Sequence, residues 1–553
     1  LKTHAIPRER LHEQGGVRGR ELAAYGLPIV PGKEKCVSRY LVLQEATTRR
    51  RIRAAGRLGW FDAPDSPAVF VLPDQVLGKS PEEIVYQPDV PMTVAETLHG
   101  QGSLKHWQTH VAQPCLGNPV LMFSVMLGLA GPLLKLCQEQ SGGFHLYGVT
   151  TAGKTTAAQT AASVWGCAAD PQEGPEVTSL RKWYTTGNAL ESLAEVHNDM
   201  LLTLDEISEV DPHELGRIIY QLAGGLSKGR ANAGGGLRMM RAWRLLFFST
   251  GEKSVRQMLA QAGQLQKGGQ RVRLPDIPAD NDEDGGRAIV MDPHGQSPKE
   301  FIQDLKAACA RYYGLAGPVF ATYLIAEAER LGMSVLAGEL RDELRSIEQI
   351  LSQDVEHLLP PEGRRVIRRF ALVALAGARA QMAGVLSWDL GVALAAVKTI
   401  RDRWLSDQGQ EHSELDRALA YLRNQLIRHS DRFRWIGGAG SNRQSTRDLL
   451  GFRTKDYYLI TEEGLRELCS EHDTRAVLRA LKTQGHLWHD KDRLTRKSPR
   501  IEEYGNTRPN LYWVAVAFLG TQEEFDTEED AALGPVSKET GRKPLDPQDD
   551  IPF

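Results

Sequence analysis

Residues 142–166 read GGFHLYGVTTAGKTTAAQTAASVWG, and within them Gly148-Val149-Thr150-Thr151-Ala152-Gly153-Lys154-Thr155 fits the pattern GxxxxGK[ST]. The eight residues follow a short apolar run and lead into an alanine-rich stretch that favours helix, which is the strand-loop-helix setting a phosphate-binding loop requires. Glycine lets the backbone curl so that amide N–H groups and the helix N-terminus face an anion. Lys154 is placed to reach the β and γ phosphates, and the Thr155 hydroxyl to ligate a metal ion. The residues from Gly148 to Thr155, with Thr156, form the candidate nucleotide site, and ATP with Mg2+ are the cofactors it predicts. The bland alternative is an accidental glycine turn.

Some fifty residues downstream, the apolar run Met200-Leu201-Leu202-Thr203-Leu204 ends in Asp205-Glu206. This is the pattern of a Walker B strand. Asp205 would hold Mg2+ and Glu206 would orient an attacking water, so the pair favours hydrolysis over phosphoryl transfer to a small molecule. An acidic strand end without chemistry is the alternative. A third apolar run, over residues 244–248, ends in Ser249-Thr250-Gly251-Glu252. ATPases with an additional central strand carry a polar sensor at this point, which makes Ser249 or Thr250 the candidate and a plain polar turn the rival.

Further on, Arg271 and Arg273 stand two apart in GGQRVRLPDIP and share a face if the segment is extended. One of them is a candidate arginine finger for a neighbouring subunit's site, and a solvated surface arginine is the alternative. Between the acidic pair and the third strand lies GGLSKGRANAGGGLRMMR, with Lys228, Arg230, Arg238 and Arg241 and no acid. Its glycines and cations suit contact with a nucleic-acid backbone. Arg364, Arg365, Arg368 and Arg369 are candidates for a second nucleotide sensor or for salt bridges.

The chain has 553 residues with 41% hydrophobic and 25% charged residues, which excludes wholesale disorder and a fibrous repeat and implies several domains. The formal net charge of -3 hides an uneven distribution. Residues 1–60 hold about 13 basic against 5 acidic side chains, residues 415–518 about 19 against 13, and residues 521–553 about 3 against 10. Six scattered cysteines, Cys36, Cys115, Cys137, Cys167, Cys309 and Cys469, form no CxxC pair, so neither a zinc site nor a disulfide framework is implied and a cytoplasmic setting is expected. The longest apolar stretch, residues 119–134, is interrupted by Ser124, Gly128, Gly131 and Pro132 and falls short of the ~20 residues that span a bilayer, so it reads as a buried helix and no membrane is expected. The polar, basic start has no apolar signal region. The chain begins at Leu1 rather than Met, which leaves open whether an upstream domain precedes it.

Organisation follows from pattern. Residues 1–95 read as a small basic, β-containing domain, with a hairpin in RLGWFDAPDSPAVFVLPDQVLG. Residues 96–290 alternate helices with strands at 143–147, 200–204 and 245–249, an α/β P-loop NTPase pattern. Residues 291–412 carry helix-period runs alone and read as all-helical. Residues 413–520 read as helices followed by a basic strand-turn-strand, the outline of a winged helix-turn-helix. Arg475, Arg479 and Lys482 fall on its second helix, and Lys491, Arg493, Arg496, Lys497 and Arg500 in the wing beside Trp488 and Tyr504. Lys228, Arg230, Arg493, Arg496 and Lys497 are the DNA-contact candidates, although winged helices also bind proteins. Residues 521–553 read as an acidic disordered tail.

These motifs resemble the DUF927 family: P-loop ATPases of phages, integrative elements and staphylococcal cassette chromosomes, related to MCM-like and superfamily 3 replicative helicases. The resemblance rests on GRLGWF, FVLP, SGGFHLYGVTTAGKTTA, LTLDEISEVDP, SKGRAN, STGE, GGQRVRLPDIPAD and RRVIRRFALVALAGARA. It implies an AAA+-like core, a hexameric ring that translocates on single-stranded or forked DNA, and partner primase or other replication proteins. The family more often has Glu where Arg271 stands, so Arg273 matches its trans-acting arginine. The loop at residues 231–237 is less charged than the family version. Together these readings predict an ATP-hydrolysing DNA helicase or translocase of a mobile element or prophage. The rival is a DNA-binding initiator or regulator in which nucleotide only switches assembly.

Overall fold

The computed structural model describes residues 16–24, 26–45, 52–62, 68–87, 95–149, 153–170, 178–183, 187–228, 240–264, 266–280, 289–359, 362–436, 449–470, 472–491, 493–501 and 506–519. They fall into two compact units, Leu1–Gly409 and Gln410–Phe553.

The centre of the first unit is a five-stranded, all-parallel sheet. Its strands are Gly142–Tyr147, Leu180–Lys182, Leu201–Asp205, Leu246–Gly251 and Asp276–Pro278. Numbered along the chain, they lie in the order 5-1-4-3-2. The three strands expected from sequence are the three central ones; the short outer strands are additions. Parallel strands need covered faces, and accordingly every residue of Leu246–Gly251 is buried. This strand lies between the phosphate-loop strand and the acidic strand, so the loop, Asp205 and Thr250 all emerge at one sheet edge. The arrangement is a P-loop NTPase-like α/β core.

Residues 119–137 form two buried helices rather than one, Pro119–Leu129 and Leu133–Cys137, because Gly131 and Pro132 interrupt the run. The later helices Pro298–Arg311, Ala316–Leu331, Met333–Ser352 and Gly363–Met382 cover the sheet's other elements with apolar faces. The first begins with a capping box, Ser297 and Glu300 bonding reciprocally, and has Pro298 at its first position. Phe370 packs its ring 4.8 Å from that of Phe144 in the phosphate-loop strand.

The stretch near the N-terminus is more elaborate than one hairpin. Helices Val17–Ala24 and Glu34–Glu45 precede an antiparallel ribbon of Gly59–Phe61, Val69–Val71 and Val76–Leu77, and a separate parallel pair joins Ile52–Ala55 to Glu83–Tyr86. Trp60 donates its indole N–H to the Pro132 carbonyl at 2.8 Å and its backbone N–H to Asp199 at 3.0 Å. Phe70 stacks on Trp165 at 5.7 Å. One hydrophobic core therefore runs across the boundaries expected at 95 and 290. No described helix is long and apolar enough to cross a membrane.

The helix Leu390–Arg428 also continues past the boundary expected at 412. The second unit is built on a sheet in the order Phe433–Trp435, Gly451–Arg453, Tyr457–Ile460, Asn510–Ala515, Leu487–Trp488, with Arg496–Lys497 also paired to Asn510–Ala515. Its first pair is parallel and the rest antiparallel. Two short helices, Glu462–Leu468 and Thr474–Thr483, pack with Leu422 and Leu426 against one face through Leu465, Val477 and Leu481. The three strands before Glu462 lie where only helices were expected.

Candidate nucleotide site and nucleic-acid interface

The phosphate loop narrows to a helix start at Gly153, whose φ of +80° is a left-handed conformation open to glycine at little cost. At the other end, a Cβ on Gly148 would lie 2.6 Å from an Asp280 carboxylate oxygen. The two glycines of the motif are thus fixed by backbone geometry and by close approach. Thr150, Thr151 and Ala152 lie outside the described residues.

Lys154 is buried and donates to the Gly148 and Val149 carbonyls at 2.9 and 2.7 Å. Burial lowers its pKa, against the pull of Glu206, Glu252, Asp205 and Asp280. The Thr155 hydroxyl stands 3.4 Å from both carboxylate oxygens of Asp205, and Thr250 donates its hydroxyl to the same carboxylate. Asp205 has its pKa raised, first by burial and further by the negative charges of Glu206 and Asp170, while the two threonine hydroxyls act in the opposite sense. These side chains line a cleft of about 350 Å³ together with Glu252, Ile302 and Lys306.

The donor set fits a divalent cation. A carboxylate raised by burial and by like charges, next to a threonine hydroxyl, is the oxygen-rich arrangement such an ion stabilises. The buried Thr156 hydroxyl on the same wall has no hydrogen-bond partner among the described residues.

Glu206 lines the cleft at its rim, with a left-handed backbone (φ +59°) uncommon for a residue with a side chain. Its carboxylate accepts the Ser208 N–H at 3.3 Å and caps the turn Ile207–Glu209.

The two sensor candidates separate. Successive residues of a strand face opposite ways, and only Thr250 meets Asp205. The Ser249 hydroxyl is buried on the other face, where it accepts from the Trp183 indole at 2.9 Å and lies 2.8 Å from His145 Nδ1. His145 Nε2 lies 2.8 Å from the Lys253 carbonyl, which requires its proton there, so Nδ1 accepts from Ser249. Burial holds this imidazole's pKa down at about 4, and it is neutral. Ser249 is therefore a structural tie and not a sensor.

The condition under which Arg271 and Arg273 would share a face, an extended segment, is not met. Gly268–Arg273 is a helix, which turns residues two apart by ~200°, so the two arginines do not share a face. Arg273 donates to the Gly269 carbonyl at 2.9 Å and lies over the Tyr220 ring at 4.8 Å, outside the cleft lining of its own chain. The second-sensor reading also gives way. Arg364 pairs with Glu356, and Arg368 bridges Glu139 and Glu348 at 2.6 and 2.7 Å. Arg369 is held by the Val272 carbonyl at 2.6 Å, with its pKa lowered to about 10 by burial. None of these three lines the cleft.

Of the glycine-rich loop, Lys228 is exposed and Arg230 lies outside the described residues. Arg241 is tied to Glu195 at 3.3 Å and is not a mobile loop cation. In the second unit Arg493 and Lys497 are exposed, whereas Arg496 lies over Trp488, its guanidinium carbon 3.5 Å from the ring centroid.

One cleft residue and two residues beside the cleft have no counterpart among the sequence candidates. Lys306, on Pro298–Arg311, lines the cleft and is 3.3 Å from Asp170, whose charge acts on Asp205. Asp280 lies against Gly148. All three come from distant segments with no spacing that marks them. A larger cavity, about 640 Å³, is lined by His110, His294, Arg311 and Tyr312 among others and contains no phosphate-loop residue.

Residues 1–242 match the family model described as Domain of unknown function (DUF927). The chain carries a DUF927 domain. The match takes in the phosphate loop, Asp205 and Glu206, and ends before Thr250 and Lys306. Among curated proteins none matches the chain. Its fold is similar to the solved structure titled "SCCmec type IV Cch - active helicase", with a TM-score of 0.60, 19% identity, and coverage of 93% of this chain and 89% of that one. A partial overlap with NtrX from Brucella abortus in complex with ADP has a TM-score of 0.18 at 14% identity over 44% of this chain and 47% of that one. At that score it bears on neither fold nor function.

Proposed function

We propose that the protein is an ATP-hydrolysing DNA helicase or translocase of a mobile element or prophage, working as a homo-oligomeric, hexameric ring. The observation that carries this reading is Asp205 held between Thr155 and Thr250 at the mouth of a phosphate loop, in a 5-1-4-3-2 sheet. The similarity in fold to a structure titled an active helicase adds to it.

On this reading the loop amides and Lys154 bind the triphosphate, while Thr155 and Asp205 would hold Mg2+. That ion supplies charge neutralisation at the β and γ phosphates. Glu206 takes a proton from, and orients, the water that attacks the γ phosphate. Thr250 fixes the Asp205 carboxylate. Arg273, which lies outside its own cleft, reaches a neighbouring subunit's site in the ring. The second unit, with strand Tyr457–Ile460, two helices and the wing strands, serves as the winged-helix-like DNA-binding domain. Lys228, Arg230, Arg493 and Lys497 contact the phosphate backbone.

The nucleotide-switched DNA binder has one observation in its favour, the Glu206 carboxylate turned onto Ser208. Strand displacement on a forked duplex separates the two. The wild-type chain is expected to hydrolyse ATP faster with single-stranded DNA and to unwind the fork, and Lys154→Ala to lower hydrolysis by at least about 100-fold and abolish unwinding. DNA-independent hydrolysis without unwinding would defeat the helicase reading.

A further inference from the structure

The sheet of the second unit has an aromatic and apolar face. Register places Trp488 opposite Trp513, Leu459 opposite Trp513, and Arg496 opposite Leu511, all on one side. Phe452, Leu459, Ile501, Leu511 and Trp513 form its buried centre. Trp488 stands at the rim of this centre and is 40% exposed.

Around Trp488 the side chains form a column. Tyr457 stacks on its indole at 4.9 Å with planes 25° apart. Arg496, at 3.5 Å, is in van der Waals contact and fills a face of the indole, which leaves Tyr457 the other. Trp513 closes the side edge-on at 5.1 Å and 88°, and its indole N–H donates to the Arg496 carbonyl at 3.2 Å. Arg496 is thereby held by backbone pairing, by that hydrogen bond and by the ring beneath it. No carboxylate among the described residues pairs with it. Lys491, Arg493, Lys497 and Arg500 are exposed on the same turn and strand.

With its carbon 3.5 Å over the ring centroid, a planar guanidinium has room only to lie along the ring; its outer face can then meet another π-system, and nucleobases stack on arginine planes as they do on rings. A base inside a duplex has both faces covered by its neighbours. Only an unpaired or terminal base can take the place. We propose that Arg496 caps a Tyr457–Trp488 column on which an unpaired nucleobase stacks, so that this edge selects single-stranded over paired DNA while the flanking cations follow the phosphates. The proposal rests on the DNA-binding reading above and changes the role of one residue in it: Arg496 is a stacking group, not a phosphate contact.

The test exploits the difference between arginine and lysine. Arg496→Lys keeps the charge and removes the plane. In the full chain, fluorescence anisotropy with an oligo(dT) strand and a duplex long enough for its two ends to be a small share of the binding sites should show single-strand affinity falling about tenfold. Duplex affinity should stay within about twofold, and the slope of log affinity against log salt should be unchanged. A single strand carrying 2-aminopurine should be quenched on binding wild type and not Arg496→Lys. Trp488→Ala, with its fold checked by thermal melting, should give the same loss. If Arg496→Lys binds the single strand as wild type does, or if it loses single strand and duplex equally, the stacking role is wrong while DNA binding stands. If wild type binds neither form, the DNA reading itself falls and this proposal with it.

Discussion

The nucleotide cleft and the aromatic edge of the second unit use charge in opposite ways. In the cleft, burial pushes Lys154 and Asp205 toward their neutral forms, and a few fixed partners act against it: the neighbouring carboxylates of Glu206, Glu252, Asp205 and Asp280 for Lys154, two hydroxyls for Asp205. At the aromatic edge the flanking cations Lys491, Arg493, Lys497 and Arg500 are exposed, and Arg496 lies on an indole. A buried charge does a task that nothing nearby can share. An exposed charge contributes one part of a sum. Loss should therefore be steep in the cleft and graded at the edge.

Lys154→Ala sets the upper end of that scale, and Glu206→Gln follows closely. The substitution keeps size and the bond from the Ser208 N–H but removes the base, so hydrolysis should fall by about 100-fold or more while nucleotide still binds. Single-turnover hydrolysis alongside equilibrium nucleotide binding checks both halves. If rate and binding fall together, Glu206 holds the loop and does not direct water, and the switch reading gains.

Thr250→Val comes next. Its hydroxyl donates to Asp205 and lowers a pKa that burial, Glu206 and Asp170 raise. Removing it should raise that pKa further. Asp205 must be ionised to hold a cation, so activity is present above its pKa and lost as pH falls through it; the acid limb of the ATPase profile should move to higher pH in the variant. At neutral pH the loss should be on the order of tenfold, one charged hydrogen bond. Ser249→Ala, a change on the opposite face, should leave the limb in place. An unmoved limb in Thr250→Val would remove the sensor role.

The contrast also explains what could be read from sequence. The loop, Asp205 and Glu206 were legible because their chemistry is written in contiguous residues at the end of apolar strands. Choosing Thr250 over Ser249 was not, because adjacent residues differ only in the face they present and the register decides that. Lys306 reaches the cleft, and Asp170 and Asp280 come beside it, only through tertiary packing. The helix Gly268–Arg273 opens with two glycines, poor helix formers, so the residue pattern does not mark it as a helix. In the second unit the strands Phe433–Trp435, Gly451–Arg453 and Tyr457–Ile460 are three or four residues long, too short for a period to show. The cations of the wing were visible as composition, but the stacking of Arg496 on Trp488 depends on cross-strand partners.

The smallest effect belongs to single exposed cations, and it sharpens the comparison most. Lys497→Ala should weaken single-strand binding only a few-fold near physiological salt and reduce the salt slope by about 0.7, the release of one phosphate's counterion share. Arg496→Lys should do the reverse, lowering affinity with the slope intact. Adding Arg493→Ala to Lys497→Ala should multiply the two losses, because exposed, separately solvated charges act independently. Glu206→Gln placed on Lys154→Ala should add almost nothing, because the two residues serve one reaction and either loss disables it. Additive behaviour in the cleft, or strong coupling between Arg493 and Lys497, would mean that burial is not what divides the two regions.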